Sequence, residues 1–155
     1  MAPSEHHVVF TLDGQRYALG IAAVERIVRA VEVTAVPGGS EAVLGVINVH
    51  GRILPVFNVR RRLGLPEHAI ELSDQFIIVH AGNYPAVLVV DAVVEVTEYA
   101  APQTGMGAEV IPGIAPGVPK VDEEVRFIQD LGRFLALDRE PMLAARLQPT
   151  TGVGG

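Results

Sequence analysis

The residues in this chain best suited to metal or proton chemistry are five histidines: His6, His7, His50, His68 and His80. A zinc site needs three or four ligands at characteristic short spacings, commonly with Cys among them. The chain has no Cys, and its histidines do not follow such a spacing. His6 and His7 sit near the start of the chain and read as part of a tail. A serine nucleophile would need a strained turn with His and a carboxylate beside it. Ser4, Ser40 and Ser73 are the only serines; none lies in G-x-S-x-G, and Ser40 and Ser73 fall where caps and turns belong. Gly105-Met106-Gly107 is a fragment of a dinucleotide loop without the strand and helix that would frame it. Asp122-Glu123-Glu124 lacks calcium-loop spacing and reads as a hairpin tip. Arg60-Arg61-Arg62 fits a solvated helix face or a patch for an acidic partner better than a nucleic-acid site, because the chain has one Lys and few aromatics to stack on bases. The sequence therefore assigns no catalytic residue, cofactor or metal ligand.

The scaffold is better specified than the chemistry. From Leu44 to Leu65, two apolar runs flank the short polar turn His50-Gly51-Arg52, and a brief basic segment follows. This reads as a β-hairpin, with strands near Leu44–Val49 and Ile53–Asn58, leading into a helix at Val59–Leu63 that Gly64 and Pro66 close. Pro55 points to an edge or a bulge in the second strand. A strong scaffold without chemistry points to a protein that binds other proteins.

Composition agrees. Hydrophobic residues make up 49% of 155, enough for a sizeable core, and sixteen Gly and eleven Pro favour strands and turns over long helices. The net charge of −6 argues against nucleic acid as the main ligand. The first residues lack the basic and apolar regions of a signal peptide, and no apolar run is long enough for a membrane span. The expectation is a soluble, cytoplasmic protein.

Along the chain, His7–Leu12 and Gln15–Ile21 read as strands joined by the Asp13-Gly14 turn. Ala22–Ile27 reads as a helical turn and Val28–Val36 as a strand. Val24, Ile27 and Val28 around Arg26 form an apolar patch rimmed by charge, as docking surfaces are, with ordinary core as the alternative for Ile27. Further strands are read at Gln75–His80, Tyr84–Val90 and Val93–Tyr99. A long loop spans Ala100–Gly117, and a hairpin joins Val118–Val121 to Val125–Gln129. Arg133–Leu137 reads as a strand or turn, and Pro141–Leu147 as a terminal helix.

The chain also echoes itself. Val24-Glu25-Arg26-Ile27 matches Val93-Val94-Glu95-Val96 at an offset of 69 residues. Asn58-Val59-Arg60-Arg61-Arg62-Leu63 matches Asp130-Leu131-Gly132-Arg133-Phe134-Leu135 at an offset of 72. A preserved order at nearly equal spacing points to two similar small β-barrels, with a groove between them as a natural binding place. The alternative is chance likeness among Val-rich strands.

The succession F-T-L-D-G-Q-R-Y-A-L-G-I, V-E-R-I-V-R, G-V-I-N-V-H-G-R-I-L-P-V-F-N-V-R-R-R-L and V-L-V-V-D-A-V-V-E-V resembles CheW, the adaptor family of bacterial chemotaxis, from about Val8 to Leu147. The resemblance implies a mainly β fold of two tandem five-stranded SH3-like β-barrels with a few short helices and a C-terminal helix. It implies a tail at 1–7, a single domain at 8–147 made of two intertwined β-barrel subdomains (roughly 15–65 and 75–137), and a disordered tail at 148–155. It further implies a non-enzymatic, cytoplasmic adaptor at receptor arrays, without cofactor or membrane insertion. Its partners would be the cytoplasmic tips of chemoreceptors and the regulatory domain of the histidine kinase CheA. Val24, Arg26, Ile27, His50 and Gly51 would face the receptor; kinase contacts are not assigned to individual residues. The chain departs from the family where it has His50 in place of Arg, Arg26 in place of an acidic residue, and Asn58 in place of Asp. Two other readings stand beside this one: an adaptor of a non-flagellar chemosensory system, serving twitching motility or development, and a small-ligand protein or enzyme using the inter-barrel groove.

Overall fold

The computed structural model describes residues 4–35, 43–67, 69–100, 114–115 and 125–135. The first half contributes β1 (Ser4–Leu12), β2 (Gln15–Gly20), a 3-10 turn (Ile21–Ala23), β3 (Val24–Arg29), β4 (Val43–Val49), β5 (Arg52–Phe57) and α1 (Val59–Leu63). The second contributes β6 (Gln75–Ala81), β7 (Tyr84–Val90), β8 (Ala92–Ala100), β9 (Ile114–Ala115), β10 (Val125–Ile128) and α2 (Leu131–Phe134). They form two five-stranded sheets, ordered β8-β1-β2-β10-β9 and β3-β6-β7-β5-β4. The fold is mainly β with a few short helices, as expected.

The internal echo is a true structural repeat. Replacing β1 through β5 by β6 through β10, and the reverse, turns one sheet order into the other. Pairing follows the same rule: β10 lies parallel to β2, and β5 parallel to β7. Bulges correspond too, since Glu25 in β3 and Val94 in β8 are both left without a partner in the ladder, 69 residues apart. The repeated segments nevertheless do not build one sheet each. The hairpin β1–β2 joins β8, β9 and β10, while β6–β7 joins β3, β4 and β5. The stretches 15–65 and 75–137 are thus repeats of the chain but not separate sheets. The physical reason is that β2 leads through the 3-10 turn, and β7 through Asp91, to a strand on the other sheet.

This exchange explains the nearly continuous apolar strands. A central core between the sheets holds Phe10, Tyr17, Leu19, Ile77, Leu88 and Phe134 among others. Residues of opposite parity point away from it: Phe76, Ile78 and Val87 join Ile47, Leu54 and Val56, while Val9 and Ala18 join Val125 and Phe127. With both faces buried, a strand loses the apolar–polar alternation that marks a half-exposed one. Each fully buried large side chain contributes about 1.5–3 kcal/mol.

Several local expectations are corrected. Residues 4–7 are the start of β1, because β8 pairs with them from Ser4 opposite Ala100. His7 is buried, with its ring edge-on to Phe127 at 5.2 Å. Strand β3 begins at Val24, where a helical turn was expected, because β6 offers a ladder from Val79 to Gln75. Pro55 lies in an inner strand: it faces Val46 on β4, and the pairing of β5 with β7 starts only at Val56, so its missing N–H leaves no gap. The segment at 131–134 is a helix, capped by the Asp130 carboxylate accepting from the Arg133 amide at 3.1 Å. Of the loop 100–117, Ile114–Ala115 forms β9 against β10. The strand at 118–121, the helix at 141–147, the tail at 148–155 and His68 lie outside the described residues.

Candidate functional site

The turn between β4 and β5 has only two residues, His50 at φ 51° and Gly51 at φ 85°. Two positive φ values in succession match the right-handed twist of the flanking strands. The side-chain oxygen of Asn48 accepts from the Gly51 amide at 2.8 Å and fixes the turn. Arg52, the next residue, reaches Glu25 on β3 with an N–O distance of 2.6 Å. Strand β3, at one end of the sheet order, thus meets β5, next to the other end, through their side chains.

The chain beyond β3 makes a second bridge. Thr34 and Val46 exchange backbone hydrogen bonds of 2.9 and 2.8 Å, bringing the segment after β3 against β4. Gly45 permits this approach: a Cβ there would stand 2.3 Å from the Thr34 carbonyl oxygen. Together the two bridges curl this sheet toward a barrel.

These contacts bring the five sequence-predicted residues into one neighbourhood. Val24 is half-buried against the central core, while Arg26 and Ile27 are exposed on β3. His50 and Gly51 are exposed in the turn. The hydrogen bond from Arg52 holds the Glu25 carboxyl below the ordinary carboxylate range; partial burial opposes this, and the positive charge of Arg52, His80 and Arg26 assists. Glu25, Arg52 and His80 therefore belong to the same surface. Sequence reasoning missed the Glu25–Arg52 pair, since nothing in a 27-residue separation marks it; the one available signal was Glu25 itself, set between Val24 and Arg26.

Of the three arginines of α1, Arg60 turns inward, Arg62 is half-buried and Arg61 stays exposed. Arg60 is buried and donates to Asp13 and Asp91 at 2.7 Å each, and to the Pro66 carbonyl at 2.9 Å. Burial alone would weaken its hold on its proton, but the two carboxylates outweigh this and raise its pKa. Arg61 pairs with Glu67 at 3.3 Å, and Arg62 donates to the Phe134 carbonyl at 2.6 Å. The expected solvated face or acidic-partner patch is corrected for Arg60 and Arg62, which tie α1 to neighbouring elements, whereas Arg61 remains on a solvated face beside the exposed Glu67. A cleft of about 210 Å³ lies between α1 and α2, lined by Phe57, Asn58, Arg61, Arg62, Phe134 and Leu135. It is smaller than the usual range for small-molecule pockets.

Comparison with known proteins now bears on this architecture. The model of the CheW-like domain matches residues 6–139. The chain belongs to the CheW-like domain family. The CheW-like chain is 37% identical over 75 residues to chemotaxis protein CheW of Bacillus subtilis (strain 168), a stretch covering 48% of each protein. It is 29% identical over 119 residues to chemotaxis protein CheW of Treponema pallidum (strain Nichols), covering 69% of this chain and 70% of the relative. The match to the Bacillus protein therefore spans about half of that relative's length. Among solved structures, scaffolding protein TtCheW from Thermoanaerobacter tengcongensis superposes with a TM-score of 0.74 at 28% identity, over 87% of this CheW-like chain and 92% of that one.

Proposed function

We propose that this CheW-like chain is a non-catalytic adaptor of bacterial chemotaxis. It couples the cytoplasmic tips of chemoreceptors to the regulatory domain of the histidine kinase CheA, and it works in the cytoplasm at receptor arrays. Family membership and the names of its relatives support the class. No helix among the described residues is long and apolar enough to cross a membrane.

The observation that carries the receptor-facing assignment is the neighbourhood of Val24, Arg26 and Ile27 with the His50-Gly51 turn, joined through Glu25 and Arg52. Val24 and Ile27 would supply apolar contact, Arg26 the choice of charge, and Gly51 the tight turn that presents His50. A surface fixed before binding loses less conformational freedom when a partner docks. The test is a pull-down of the purified chain against the cognate receptor tip and, separately, the CheA regulatory domain. Binding to both supports the reading, and binding to neither overturns it. Replacing Ile27 by Ser should weaken receptor binding about tenfold, or ~1.4 kcal/mol, while leaving kinase binding intact.

A further inference from the structure

Asp13-Gly14 is the one place in the chain where an Asp or Asn precedes Gly; every other Asp and Asn is followed by a residue with a side chain. Such a step is the most prone to aspartate isomerisation, because glycine leaves the attacking amide uncrowded. The two residues form the tip of the β1–β2 hairpin, at φ 53° and 79°, and both are exposed. A Cβ at Gly14 would meet nothing within 4 Å, and the Gly14 amide has no acceptor among the described residues. The Asp13 carboxylate is held by Arg60, whose Nη1 donates to Oδ1 at 2.7 Å. The Asp13 amide donates to Oδ2 of Asp91 at 2.9 Å. We propose that Asp13-Gly14 is a site of spontaneous isoaspartate formation, that Arg60 restrains the reaction, and that the reaction releases α1 from the hairpin.

The reaction needs nothing beyond water. The Gly14 nitrogen, having lost its proton, attacks the side-chain carbonyl carbon of Asp13. A C–N bond forms, the carboxyl C–OH bond breaks, and one water leaves, giving a five-membered succinimide. Water then opens the ring at either carbonyl. Opening at the side-chain carbonyl restores Asp13. Opening at the main-chain carbonyl leaves Gly14 joined through the Asp13 side chain, with the former main-chain carbonyl as a free carboxylate. Arg60 opposes the first step in two ways. It binds the carboxylate, whereas the group that loses water is the neutral carboxyl. It also draws Oδ1 toward α1, and the side chain must swing back over Gly14 before carbon and nitrogen can meet. Asp91 adds a second restraint by fixing the Asp13 amide. The product has a backbone longer by one carbon and carries its carboxylate on Cα. The tight turn and the Arg60 contact are then both lost, and Arg60 keeps Asp91 as its one carboxylate among the described residues.

This inference goes beyond the adaptor reading and stands without it. The purified full-length chain and its variants are incubated warm at mildly acidic pH, where part of any aspartate population is neutral. Circular dichroism checks that each variant is folded under those conditions. After trypsin digestion, the peptide of residues 1–16 contains Asp13 as its single Asp, so isoaspartate there is resolved by chromatography and electron-transfer fragmentation. The rate at Asp13 should rise at least about tenfold in Arg60→Ala. Arg60→Lys, which keeps a cation and needs less of the fold to adjust, should fall between the two, since one ammonium does not span both carboxylates. Leu54→Ala, which weakens the core on the outer side of the second sheet and keeps the clamp, should not raise the rate. The isomerised chain, separated by ion exchange, should melt below the unmodified one. Any other order of the three rates overturns the proposal. So does an equal acceleration in Leu54→Ala, or an isomerised chain that melts with the unmodified one.

Discussion

Arg62 donates from Nε to the backbone carbonyl of Phe134 at 2.6 Å, and the two residues are counterparts in the internal repeat, 72 positions apart. A residue that bonds to its own counterpart lies where the two repeats meet. This contact ties α1 to α2 directly, beside the apolar core that holds Phe134. Replacing Arg62 by Ala should cost about 1–2 kcal/mol, since a charged donor is lost from a part-buried carbonyl. Denaturant unfolding would measure the loss, and hydrogen exchange should show earlier opening of the Phe134 and Leu135 amides.

Asn58 serves two partners at once. Its side-chain oxygen caps α1 by accepting from the Arg61 amide at 3.1 Å, while its Nδ2 donates to Glu67 at 2.8 Å. Asp would keep the cap but set two carboxylates against each other. Asn58→Asp should therefore destabilise the chain by about 1 kcal/mol at neutral pH. Adding Glu67→Gln should recover most of that in a double-mutant cycle.

Gly45 tests the closure of the second sheet. A methyl group there collides with the Thr34 carbonyl, so Gly45→Ala must push the segment after β3 away from β4. The expected cost is about 2 kcal/mol, in the range of other overpacked sites. Amide exchange at Thr34 and Val46 should rise more than at β6 or β7.

The Glu25–Arg52 bridge gives a pH dependence whose direction follows from its cause. The carboxyl titrates below the ordinary range in the folded chain. Its contribution is therefore complete above the ordinary glutamate value of about 4.3 and vanishes as pH falls through the lower folded value. Thermal melts of the natural chain and Glu25→Gln should differ at pH 7 and converge in acid. The difference will be small, because both side chains are a third or more exposed.

Arg60 anchors the passage between the sheets. Asp91 accepts from Arg60 and from the Asp13 amide, and its own amide donates to the Thr11 carbonyl at 3.0 Å. Arg60→Ala should cost about 2–3 kcal/mol, less than for a fully enclosed pair because water can reach Asp13 and Asp91. Arg60→Lys should recover only part of it, since a single ammonium lacks the fork that spans two carboxylates.

What could be read in the sequence follows the physics of each element. Hairpin turns at Asp13-Gly14 and His50-Gly51, and the Asn58 and Gly64 ends of α1, are set by local backbone preferences, so residue type reveals them. The strand at residues 4–6 was hidden because it depends on β8, more than eighty positions away. Helix α2 was marked by its echo of α1, yet its apolar residues read equally well as a strand. The inward turn of Arg60 was invisible because its carboxylates, Asp13 and Asp91, come from separate turns of the chain. At the candidate site, motif positions identified the members; the Glu25–Arg52 contact that joins them depends on the curl of a whole sheet.

The exchange of β3 and β8 between sheets also constrains how the chain matures during synthesis. The hairpin β1–β2 leaves the ribosome well before its sheet neighbours β8 and β10. Until they arrive, Phe10, Tyr17 and Leu19 have only part of their final surroundings, and the opening hairpin must wait without its sheet. Non-local pairings of this kind slow folding and lengthen the exposure of apolar strands. The nascent chain is therefore most vulnerable to aggregation in the interval between translation of Gly20 and of Ile128.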